Sequence, residues 1–115
     1  AHDSHHMIVV GTEKKDMALA ANKLNDIGGG LVVFSKGKLL ALLELPIAGL
    51  MSDKVAEVVA KKANLIVSAM ETCGCQLNNA IMQHSLLALA VIPEIRISDL
   101  GIIAVTKFKH VDLFV

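Results

Sequence analysis

Three consecutive glycines, Gly28, Gly29 and Gly30, lie between a helical pattern and an apolar run, and that order limits the possible folds more than any other feature. A phosphate-binding or dinucleotide-binding loop places its glycines after a strand and ahead of a helix, where backbone N–H groups and the helix dipole meet the anion. Here the order is reversed, so the glycines stop a helix and release the chain into a strand. Upstream, Met17, Ala20, Ala21, Leu24 and Ile27 recur at helical spacing; Thr12 is placed to cap the helix, and Glu13 and Asp16 suit its positive end. Downstream, LVVFS from Leu31, a tight turn at Lys36-Gly37-Lys38 and LLALLEL from Leu39 predict a hairpin.

The β-branched run HMIVVG, residues 6–11, predicts a buried strand ahead of the first helix. Two apolar strands around a helix favour a right-handed parallel crossover, to which the hairpin adds an antiparallel neighbour. Ser52 and Asp53 mark the start of a second helix, with Val55, Val58, Val59, Ala63, Ile66 and Met70 on one stripe and Gly74 at its end. Lys54, Glu57, Lys61, Lys62 and Glu71 fall mostly off that stripe and form a solvated face. After the connection CQLNNAIMQHS, the segment LLALAVIPEIRIS predicts a strand broken at Pro93; SDLG makes a turn before IIAV, and KHVDLFV closes with alternation. The expected fold class is α/β: one layered domain over residues 1–115, with a mixed sheet of about five or six strands and two main helices.

Composition narrows the function. Eleven basic residues balance eleven acidic ones, so no general field favours nucleic acid or an anionic lipid surface. The longest apolar stretch, Leu39 to Met51, contains Glu44 and Pro46 and is shorter than the roughly 20 residues of a membrane span. No secretory signal opens the sequence, which makes a cytoplasmic location the expectation. Hydrophobic residues reach 54% while aromatic ones make up only 3%, an excess that predicts apolar surface reserved for another domain or a second copy, and hence a homo-oligomer.

Standard catalytic signatures are absent: there is no GxSxG elbow, no HExxH, and no HxE with PCxxC. Cys73 and Cys75 are one residue apart, unlike the CxxC-type pairs of structural zinc sites, and read as reduced thiols at a helix end. The opening AHDSHH concentrates groups able to ligate a metal or relay protons near neutral pH. Alternation in an extended chain turns His2, Ser4 and His6 one way and Asp3 and His5 the other, so two or three of them at most converge. From the residues alone a solvated terminus or the remnant of a purification tag is the favoured reading of the cluster. His84 and His110 read as edge residues, Phe34, Phe108 and Phe114 as core rather than purine-stacking groups, and Met17, Met51, Met70 and Met82 as gap fillers.

The segments HDSHHMIVVGT, DMALAANKLNDIGGGLVV, LLELPIAGLMSD, LALAVIPEIRISDLG and DLFV, in that order, resemble the C-terminal domain of bacterial adenine deaminases. The resemblance implies a native amino-terminal cluster and a parent enzyme that converts adenine and water to hypoxanthine and ammonia. It also implies a manganese or iron centre held by a (β/α)8 barrel that lies outside this chain, with no metal or cofactor site expected in the chain itself. A barrel needs at least ~200 residues, so the implied role is an accessory domain, inactive alone, docked on that catalytic barrel. The matching loop His2, Asp3, Ser4 and His5 becomes the candidate active-site contribution, positioning substrate or closing the site against water; His6 stands where the family pattern has asparagine. The competing reading is a stand-alone small-molecule-binding or oligomerisation module.

Overall fold

The structure is a computed structural model that describes residues 1 and 5–114. The chain divides into two compact units, residues 9–80 and residues 1–8 with 81–115.

In the first unit, helix α1 (Lys14–Ile27) leads into strands β1 (Gly30–Ser35) and β2 (Lys38–Glu44), and helix α2 (Ala56–Thr72) follows. Glu13, not Thr12, caps α1, its side chain accepting from the Lys15 N–H at 3.2 Å. At the other end Gly28 takes a left-handed conformation; its N–H donates to the Asn25 carbonyl and the Gly29 N–H to the Leu24 carbonyl. This pair of bonds is a Schellman stop. The next two glycines do more than stop a helix. A Cβ on Gly29 would sit 2.5 Å from the Gly49 Cα, and one on Gly30 would sit 2.1 Å from the Leu43 carbonyl oxygen. Close passage of backbone past backbone therefore requires residues without side chains.

β1 and β2 pair antiparallel through a two-residue turn, Lys36-Gly37, in which both residues have positive φ, as a type I′ turn requires. The register slips between Val33 and Phe34, leaving Leu40 as the extra residue of a bulge. α1 packs on β1, and α2 packs on β2 and β1. Ala41 and Leu43 of β2 and Ile66 and Ala69 of α2 are buried, with Ile66 the most completely enclosed at 2% exposure. α2 begins three residues later than Ser52 and Asp53 suggest. The Ser52 hydroxyl instead accepts from the Lys54 N–H, and Val55 stands at the cap without a side-chain bond. Accordingly the front of the expected stripe is open, with Val55 and Val58 exposed, and burial falls on Ile66 and Ala69.

The second unit contains the short helix α3 (Ala80–Ser85, its first residue at the boundary), a 3-10 turn at Leu86–Ala88, and strands β3 (Ile95–Ser98), β4 (Gly101–Ala104) and β5 (Lys109–Val111). The strands form an antiparallel meander in the order β3-β4-β5. Ala88, Ala104 and Val105 are buried in it.

The α/β class and the two main helices are as expected, and the described residues form five strands, at the low end of the expected number. They are divided between a two-stranded and a three-stranded antiparallel sheet. Residues 6–11 form no strand, so the expected parallel crossover has no partner. The LLALAVI segment turns as 3-10 and irregular backbone rather than extending as a strand. Phe108 and Phe114, expected in the core, are 90% and 85% exposed. Met51 and Met82 are exposed too, whereas Met17 fills the space beside Gly11.

Candidate functional site

Of the four residues in the candidate loop, His2, Asp3 and Ser4 lie outside the described residues. His5 is exposed and has positive φ. Its neighbour His6 is half-buried, with Nε2 3.7 Å from Oδ1 of Asp99, and its carbonyl accepts from the Ala1 nitrogen at 2.9 Å. That contact links the opening segment to the Ser98–Gly101 turn. There the Ser98 hydroxyl donates to the Gly101 carbonyl and accepts from the Leu100 N–H.

Among the described residues, no three His, Cys, Asp or Glu side chains are grouped to hold a metal ion. Cys73 is exposed and Cys75 half-buried, both as free thiols. His84 lies half-buried in the last turn of α3, and His110 is exposed on β5. No helix among the described residues is long and apolar enough to cross a membrane.

A charged pair set against a cavity was not singled out by sequence reasoning. Glu44, at the end of β2, pairs with Lys62 on α2 beside a cavity of about 270 Å³. The LPIAGLMSD segment supplies Pro46, Ser52 and Asp53 to its lining, and Val58 and Val59 supply an apolar wall. The Lys62 hydrogen bond, followed by the Glu44 backbone N–H, holds the Glu44 carboxyl below the usual carboxylate range against an opposing contribution from burial. Both side chains are more than a third exposed, so this is a surface ion pair at the mouth of a shallow cleft. It has the charge to orient a small polar group.

A second carboxylate, Asp16, lies in the first turn of α1 as expected and has a further structural role. Asp16 accepts from the Lys36 and Gly37 N–H groups at 2.7 Å each, tying the first turn of α1 to the tip of the hairpin. Its partners are about twenty positions away, and only the fold brings them together.

A family model described as the adenine deaminase C-terminal domain matches residues 1–109. The adenine deaminase of Mesorhizobium japonicum is 68% identical over 115 residues, covering all of this chain and 19% of that protein. Adenine deaminase 3 of Rhizobium meliloti is 65% identical with the same coverage. The adenine deaminase of Clostridium botulinum is 45% identical, again over the whole chain and 19% of that protein. The chain thus spans about a fifth of the length of the curated relatives it matches. No solved structure matches it. With one family model covering nearly all its residues, this chain belongs to the adenine deaminase C-terminal domain family.

Proposed function

We propose that this chain is the accessory domain of a cytoplasmic, homo-oligomeric adenine deaminase, an enzyme that converts adenine and water to hypoxanthine and ammonia. The observation that carries this reading is the alignment of the entire chain with one fifth of two adenine deaminases at 65–68% identity. In this reading the manganese or iron that the family resemblance implies is held by a catalytic barrel elsewhere in the polypeptide. The domain's part is to dock on that barrel and to present His2, Asp3, Ser4 and His5 at its mouth, where they position adenine and exclude water.

Ammonia release from adenine separates this role from a stand-alone binding module. The expected result is turnover by the full-length enzyme supplied with manganese and none by the 115-residue chain alone. Within the full-length enzyme, His2→Ala and His5→Ala lower kcat/KM by about 10²-fold, the scale of a misplaced substrate, at unchanged melting temperature. Unaltered turnover in both variants removes the loop from the active site. Turnover by the 115-residue chain by itself removes the accessory role.

A further inference from the structure

The β3–β5 unit buries little for the apolar surface it carries. Its buried side chains are Ala88, Ala104 and Val105, while Ile95, Ile97, Leu100, Leu113 and Phe114 are each more than half exposed. The strand registers set this exposed surface in order. Ile97 opposes Ile102, and Ile102 opposes Val111, so an apolar row crosses all three strands on one face. Ile95, the buried Ala104 and Lys109 share that face, on which Ile95 and Ile97 are exposed and Ile102 and Val111 half-buried, and Arg96, Ser98 and His110 project from the other. Beside the row runs an open groove of about 690 Å³ whose apolar walls come from Leu100, Ile102, Val111, Leu113 and Phe114. An apolar row leading into a groove whose apolar walls are interrupted by Lys109, His110 and Asp112 is surface of the kind that another protein surface covers.

We propose that this face is the seat of the remaining part of the same polypeptide: the catalytic portion of the deaminase docks on the Ile97–Ile102–Val111 row and fills the groove bounded by Leu100, Leu113 and Phe114. The relatives that match the whole of this chain are about five times as long, so roughly four fifths of their polypeptide lies outside it. A covalently attached neighbour is present at millimolar effective concentration, on the order of 10²–10⁴-fold more favourable than a free partner of equal complementarity. The proposal rests on the reading that the domain works within a longer deaminase, and it adds which face is covered.

The test is hydroxyl-radical footprinting of the wild-type full-length enzyme, native against urea-unfolded, with oxidation at Ile97, Leu100 and Phe114 read by mass spectrometry. A docked face gives about tenfold lower oxidation in the native enzyme, as for side chains in the dry core of an interface. The reduction persists when the enzyme is diluted until sedimentation shows single protomers. Oxidation in the native enzyme within about twofold of the unfolded level, the range for side chains left on open surface, overturns the proposal. So does protection that disappears in the single protomers, because a second copy is then the occupant. Ammonia release from adenine, measured on the same preparation, keeps the two readings apart. Turnover without protection sinks the docking face alone, and protection without turnover sinks the deaminase reading alone.

Discussion

Replacing Gly30 by alanine probes the position where, among the described glycines, an added Cβ would meet backbone most closely. Two effects add. Gly30 has φ +143°, a conformation that L side chains rarely adopt, and forcing a residue with a Cβ into it costs about 1–3 kcal/mol. The new Cβ also lies 2.1 Å from the Leu43 carbonyl oxygen and 3.2 Å from the Leu45 nitrogen. Both are backbone atoms, so no side chain can rotate away and the hairpin itself must shift by roughly 1 Å, an overpacking strain of about 1–3 kcal/mol. The sum, about 2–6 kcal/mol, is a large part of the roughly 5–15 kcal/mol that holds a domain folded. Gly28→Ala is the matched control. Its φ is +76° and nothing lies within 4 Å of the added Cβ, leaving only the left-handed backbone term of about 1–2 kcal/mol. The chain has no tryptophan or tyrosine, so urea unfolding is followed by circular dichroism. With a slope of about 1–1.5 kcal/mol/M and a mid-range difference of about 2.5 kcal/mol, Gly30→Ala brings the midpoint about 2 M below that of Gly28→Ala. Coincident midpoints refute the close passage of β1 against Leu43.

Asp16→Ala removes both acceptors from the hairpin tip and destabilises by about 1–2 kcal/mol, while Asp16→Asn, which keeps one carbonyl oxygen, loses about half as much; the same urea series measures both. For Glu44 the sign follows from its lowered folded-state pKa: its contribution is complete above the ordinary value of 4.5 and is lost as the pH falls through the lower, folded value. Because the pair is partly exposed, that contribution is under about 1 kcal/mol. Glu44→Gln should flatten the stability–pH curve below 4.5 by that amount, and an unchanged curve in denaturation between neutral and acid pH refutes the pairing.

What the sequence disclosed was whatever a few neighbouring residues decide. The stop at Gly28, the Lys36-Gly37 turn and the periodic run of α1 each carry their cause within a short window, and each stands in the structure. What it concealed depends on partners far along the chain. HMIVVG has strand composition, but composition supplies no neighbour to receive its hydrogen bonds, and none is paired with it. LLALAVI illustrates the ambiguity of a short apolar run, which fits a strand or a turn of helix equally well until packing decides. The roles of Asp16 and Glu44 likewise depended on donors about eighteen to twenty-one positions away. The apolar excess did forecast open surface, although Phe108 and Phe114 were assigned to the wrong side of it. The family resemblance was legible because whole segments, rather than single groups, carry it.

The Asp16 clasp bears on how the chain reaches its fold. It closes a loop of about twenty residues, whose chain-entropy penalty is modest, and the elements it joins are consecutive. Helix, glycine corner and hairpin are thus suited to condense together as an early nucleus before α2 arrives, with Asp16 already engaged at the rate-limiting barrier. Loosening the clasp would then slow refolding while leaving the escape rate from the native state nearly untouched.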